Sequence, residues 1–194
     1  MSGTVIHEPT RRALTDRQAE VVERLVRAAA EEVREQPDEG LSVRRVARRA
    51  GLAPATAYTY FGSKDHLVAE VAWRRLRALP DAGAEEGATR RERVRAELRT
   101  VGLFMADDPA MAAACTQALL SGSPDVKALR DRIGQEIHRR LRRALGPGGD
   151  PAVLRTLELA WIGALLTSGM GHLTPADVPA RLLEVADLVV ADEP

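Results

Sequence analysis

Four times in its second half the chain sets a short polar side chain directly before a proline: Asp108-Pro109, Ser123-Pro124, Asp150-Pro151 and Thr174-Pro175. Proline lacks a backbone N–H and clashes with the turn before it, so a helix accepts it readily only in the first turn. Asp, Ser and Thr just ahead of that turn can accept a hydrogen bond from its free N–H groups. Each pair is followed by apolar residues at three- and four-residue spacing. The pattern predicts four helices, starting near residues 109, 124, 151 and 175. The run "GPGGD" reads as the hairpin between two of them.

The first half carries similar punctuation. Thr15-Asp16-Arg17-Gln18 has the form of a capping box, and Val22, Val26, Ala29 and Val33 follow at helical spacing. The pattern stops at "QPDEG". Ser42 suits the N-cap of a short helix through Ala50, ended by Gly51. Pro54 opens another through Tyr60, and Ser63 caps a longer one to about Leu79. "PDAGAEEGATRR" reads as a loop, and a helix is expected from about Thr89 to Ala106. No stretch alternates with a period of two and β-branched enrichment. The expectation is an all-α fold of about nine helices. Three parts are expected: a flexible N-terminal arm (1–14), a helix-turn-helix unit (15–63) and a larger helical part (64–194).

The formal net charge is zero, yet residues 41–78 hold eight Lys and Arg against two acids, a net of +6. The other residues balance it. A local basic block points to a polyanion, or else to a solvated helix face. There is one cysteine, Cys115, so no internal disulfide framework. No apolar run has membrane-spanning length and the N-terminus lacks a secretory apolar region, which gives a cytoplasmic expectation with no membrane partner. The four histidines are dispersed, without zinc-site spacing, so no metal or cofactor is expected. No Ser/His/Asp, Cys/His or HExxH arrangement suggests an enzyme.

Within the basic block, Val43, Val46, Ala47 and Ala50 share one face of a short helix, and Arg44, Arg45, Arg48 and Arg49 fall mostly outside it. Leu52, Ala57 and Phe61 supply the apolar contacts of the next helix. This is a helix-turn-helix, roofed by the long first helix. Its second helix would enter a major groove by its N-terminal end, where Pro54, Ala55, Thr56 and Ala57 are small. Thr56 can bond a base edge or touch a thymine methyl. Tyr58, Thr59, Tyr60 and Lys64 suit phosphates, as do Arg44, Arg45 and the helix starts at Ser42 and Ser63. Against this stand two plainer readings: Tyr58 as a half-buried core residue, and the arginines as a solvated face.

"LSVRRVARRAGLAPATAYTYFGSKDHL" closely resembles the DNA-binding signature of the TetR family of bacterial transcriptional regulators, over roughly residues 19–71. The matching residues are Ala47, Ala50, Gly51, Thr56, Tyr58, Tyr60, Phe61, Ser63, Lys64 and Leu67. Ala57 departs from it, where the family has a larger aliphatic residue. The resemblance implies an all-helical homodimer, contacts to a double-stranded DNA operator at residues 54–56, 58–60 and 64, and control by a small-molecule effector. Its identity does not carry over.

Two features stand out in the larger half. Ala160, Gly163, Ala164, Thr167 and Gly171 are small and share a face. With Leu182, Val185 and Val189 of the last helix they suit an intersubunit four-helix bundle, or packing within one subunit. Bulky and soft residues gather there too: Trp73, Leu76, Phe104, Met105, Met111, Cys115, Trp161 and Met170. They suit an apolar pocket with Gln117, Thr167, Ser168 and His172 as polar anchors, or ordinary core filling. The expected function is a ligand-responsive repressor. The alternative is a small-molecule sequestering protein with a relic helix-turn-helix.

Overall fold

The helical patterning resolves into nine α-helices among the described residues, which are 16–36, 40–82 and 87–191 of this computed structural model. They are α1 (Asp16–Glu35), α2 (Val43–Arg49), α3 (Pro54–Tyr60), α4 (Lys64–Ala78), α5 (Arg90–Gly102), α6 (Pro109–Leu119), α7 (Pro124–Leu145), α8 (Pro151–Gly169) and α9 (Val178–Val189). The expected N-terminal arm, the cap at Thr15 and parts of two loops lie outside the described residues.

The short helices end where the sequence punctuates them. Gly51 takes a left-handed φ of 65° after α2. Leu52 N–H then bonds Ala47 O at 2.8 Å and Gly51 N–H bonds Arg48 O at 3.0 Å, the paired bonds of a Schellman end. Ser63 caps α4 by accepting from His66 N–H at 3.1 Å. Thr89 and Glu92 form a reciprocal capping box on α5. Of the four residues that precede prolines, Asp108 and Asp150 cap with their side chains, and Ser123 and Thr174 do not.

Two expected boundaries move. The helix predicted to Ala106 stops at Gly102, which is pressed against the start of α9: a Cβ there would lie 3.1 Å from Pro179 Cα. Asp108 is drawn inward to cap α6, and Pro109 disfavours helical backbone at that residue. The helix predicted from Pro175 begins instead as a 3₁₀ turn over Pro175–Asp177, and α9 starts at Val178. Pro179 has no N–H to give the Pro175 carbonyl, so the first turn closes through Asp177 N–H to Thr174 O.

α1, α2 and α3 pack as a three-helix head around Leu25, Val46, Ala47 and Ala57. α4 leaves the head and packs on α6 and α7; α5 lies against α7 and α9, and α8 against α6, α7 and α9. α4 is held at several points. Arg75 bonds Asp108 Oδ2 at 2.7 Å. At its C-terminus, the Leu79 and Pro80 carbonyls accept from Arg140 of α7 at 2.8 and 3.0 Å. Arg140 is 2% exposed and pairs with fully buried Glu97 of α5 at 2.9 Å. Sequence reading missed this hub because "RRLRR" gives no sign of which arginine faces inward.

Candidate nucleic-acid interface and an apolar cavity

The outer face of the head is built from short side chains. Pro54, Ala55, Tyr58, Thr59 and Lys64 are exposed, while Thr56 and Tyr60 are half-buried. Ala57 is fully buried at the centre of the head, and Phe61 is buried behind it. The α3 N-terminus therefore presents a slender, uncharged surface, flanked by hydroxyls and one ammonium. The Thr59 hydroxyl donates to Ala55 O at 3.0 Å, leaving its lone pairs outward. Ser42 precedes α2 in extended backbone without a side-chain capping bond.

The four arginines of α2 divide. Arg44 and Arg48 are exposed. Arg45 and Arg49 turn back to α1, where both bond buried Glu32, at 2.5 and 3.0 Å. Arg45 also donates to Gly40 O, and Arg49 to Glu35 at 2.6 Å. Arg45, expected at DNA, is thus a strut between α1 and α2. The signal was available: Glu32 interrupts the apolar face of α1, and a buried carboxylate requires partners.

In the larger half, α5 through α8 and the start of α9 enclose an apolar cavity of about 240 Å³. Its wall includes Phe104, Met105, Cys115, Trp161 and Ser168 of the expected set. The rest of that set lies elsewhere. Leu76 and Met111 are buried in the core, and Trp73 packs on Ala69 and Val126 beneath the Arg77 guanidinium. Gln117, Met170 and His172 face solvent. The wall also takes Ala112, Thr116, Leu119, Ile133, Leu165 and Val178, which sequence reading passed over. Ala112, Cys115, Thr116 and Leu119 stand at i, i+3, i+4 and i+7, so the α6 stripe was legible as a face, though not as the wall of a void. Burial pushes the Cys115 thiol up to about 12, so it stays protonated.

The residues expected at a subunit interface also divide. Gly163, Thr167 and Gly171 are exposed. Ala160, Ala164, Val185 and Val189 are half-buried between α8 and α9, and Leu182 is buried against Gly102 within its own chain. Beside the exposed set, Leu159 of α8 is 69% exposed and Leu188 of α9 is 85% exposed.

The segment from residue 25 to 71 matches the family described as bacterial regulatory proteins, tetR family. An HTH-type transcriptional regulator of Mycobacterium tuberculosis is 45% identical over 177 residues, which are 90% of this chain and 83% of the relative. The chain belongs to the TetR family. As a TetR-family protein it is a DNA-binding transcriptional regulator. The transcriptional repressor KstR of Rhodococcus jostii is 29% identical over 159 residues, 79% of this chain and 75% of that one. A TetR transcriptional regulator from Rhodococcus sp. RHA1 shares the fold at a TM-score of 0.75, with 21% identity over 91% of this chain and 98% of that one. FadR of Bacillus subtilis, solved with stearoyl-CoA, shares it at 0.61, with 19% identity over 87% and 97%. The family match ends within α4, ahead of every residue in the cavity wall. Among the described residues, no helix is long and apolar enough to cross a membrane.

Proposed function

We propose that this chain is a ligand-responsive repressor that binds a palindromic operator as a homodimer and is released by a small, mostly apolar effector. The observation that carries the reading is the grip on α4. Its first residue, Lys64, stands exposed at the head. Along its length Arg75 reaches both Met105 Sδ, in the cavity wall, at 3.4 Å and the α6 cap Asp108 at 2.7 Å. A ligand that displaces Met105 or the α6 N-terminus loads the helix that aims the head. Repressors among the relatives and a ligand-bound fold neighbour support the same reading.

The dimer reading rests on α8 and α9. Leu159, Ile162, Met170 and Leu188 lie open to solvent, and a Cβ on Gly163 would meet nothing within 4 Å among the described residues. A second copy covers such a face at the least cost. The two recognition helices then meet half-sites about one turn, ~34 Å, apart.

The test is binding of the protein to its own upstream DNA by fluorescence anisotropy, with the oligomeric state measured by light scattering. Expected are a dimer, saturable binding to a palindrome, and loss of both in Gly163→Arg at unchanged helicity. A folded protein without affinity for any DNA would favour the sequestering alternative.

A further inference from the structure

The cavity wall has a closed side and an open one. Phe104, Met105, Cys115 and Trp161 are buried, whereas Leu120, Arg130, Gly134 and Ile162 are exposed. The exposed four lie at the end of α6, along α7 and on α8, and they mark the mouth. Inside, two polar groups are already engaged: Thr116 Oγ1 donates to Ala112 O at 3.0 Å and Trp161 Nε1 to Val101 O at 3.3 Å. Among the described residues, Arg130 is the one charged residue of the wall. Its Nη1 donates to the carbonyls of Leu119 and Ser121, at 2.6 and 3.4 Å, which ties the guanidinium to the rim where α6 ends. Nε and Nη2, the edge that grips a carboxylate with two parallel bonds, have no partner among the described residues. The neighbouring Asp131 pairs with Lys127 instead, at 2.6 Å.

A charged or strongly polar head inside this wall would lose its hydration without compensation. An amphiphile therefore enters apolar end first and leaves its head at the mouth. The cation at the mouth decides the sign of that head. We infer that the cavity takes a monoanionic amphiphile, an apolar body ending in a carboxylate, which Arg130 holds at the rim. Size follows from the volume: about 240 Å³ filled to interior density holds a body of roughly eight chain carbons. The ion pair is open to water, so it adds little affinity and weakens with salt; the apolar body supplies most of the binding. The inference names the ligand class of the cavity already read as the effector site, and it rests on that reading.

Isothermal titration on the DNA-free protein at low salt tests it with three probes of one chain length: octanoate, 1-octanol and octyltrimethylammonium. Expected is about a three- to fivefold preference for octanoate over 1-octanol, shrinking as salt is added, with the cation weakest. Arg130→Gln should erase the preference and leave 1-octanol affinity unchanged. Arg130→Lys, which keeps the charge and loses the fork, should retain part of it. Arg142→Gln removes an exposed arginine farther along α7 and should change nothing. Equal affinities for octanoate and 1-octanol, tightest binding of the cation, a preference that survives Arg130→Gln or falls equally in Arg142→Gln, or no binding of any probe would each overturn the inference. So would a loss of 1-octanol affinity in Arg130→Gln, which would make Arg130 a brace of the rim. Adding the upstream DNA separates the two readings: octanoate that binds as described yet leaves DNA affinity unchanged refutes the effector role and leaves the cavity chemistry standing.

Discussion

Glu32 in the head and Glu97 in the larger half are both carboxylates buried against pairs of arginines, yet they hold different things. Arg45 and Arg49, which meet Glu32, keep part of their side chains in solvent. Arg140, which meets Glu97, is itself sealed and also closes the end of α4. Water can reach both arginines of the first network, but in the second only Arg143, since Arg140 is sealed. The head is therefore braced by charge at its surface, around a core thinned to Ala47 and Ala57. The larger half is braced by charge at its centre. A thin head suits a surface that must fit a groove, and a sealed brace anchors the C-terminal end of α4.

The largest effect is expected where the sealed brace is broken. Arg140→Met leaves buried Glu97 with Arg143 alone, at 3.3 Å, and frees the carbonyls of Leu79 and Pro80. Losing one partner of a buried pair costs about 3–5 kcal/mol, to be read as a fall in the urea unfolding midpoint at unchanged slope. A loss under about 1 kcal/mol would show that water reaches Glu97 and that the contrast with the head is false.

The head counterpart, Glu32→Ala, should cost less. It removes charged hydrogen bonds worth about 1.5–3 kcal/mol in such settings and leaves two arginines that can turn to solvent. The same urea titration compares the two variants directly. Equal losses would mean that the half-exposed arginines are held as tightly as Arg140. Gly51→Ala stands next. The left-handed backbone there disfavours a side chain by about 1–2 kcal/mol, and the new Cβ would lie 3.2 Å from Arg24 Nη2.

The two halves also differ in how much of them the sequence discloses. The backbone of the head was readable from the sequence because its constraints are local. Gly51 must take a positive φ, Pro54 must sit in a first turn, and small residues must face outward on a short helix. The cavity was not readable in that way. Whether Met111 or Met105 borders the void depends on where α5 ends, and that depends on Pro179, far along the chain. Leu76 and Phe104 look alike in sequence, and only packing sends one to the core and the other to the wall. Arg45 and Arg48 likewise differ only in which of them meets α1.

That last pair gives a smaller effect with a clear signature. Arg48→Ala should lower the slope of DNA affinity against salt by about one unit and leave stability unchanged. Arg45→Ala should do the reverse, losing stability with little change in slope. DNA titrations at several salt concentrations, beside urea unfolding, separate strut from contact. A full unit of slope lost in Arg45→Ala would return that residue to the DNA.

The smallest expected effect lies at the seam between the two regions. His66, in the first turn of α4, packs edge-on to Phe61 at 5.3 Å between ring centres, and its Nδ1 has no hydrogen-bond partner among the described residues. Asp125, near the start of α7, stands 3.8 Å away. Burial lowers the His66 pKa below the usual imidazole value, and the nearby charges of Asp125 and Glu70 offset it only in part. The unfolded chain then binds more protons than the folded one as pH falls through the ordinary histidine range, so stability present above about 6.5 drains away below it. His66→Gln removes this titration and leaves the other histidines in place. Wild type should lose more melting temperature than His66→Gln between pH 7.5 and 5.5. If wild type loses less, the charge of Asp125 outweighs burial, and the seam tightens in acid instead of loosening.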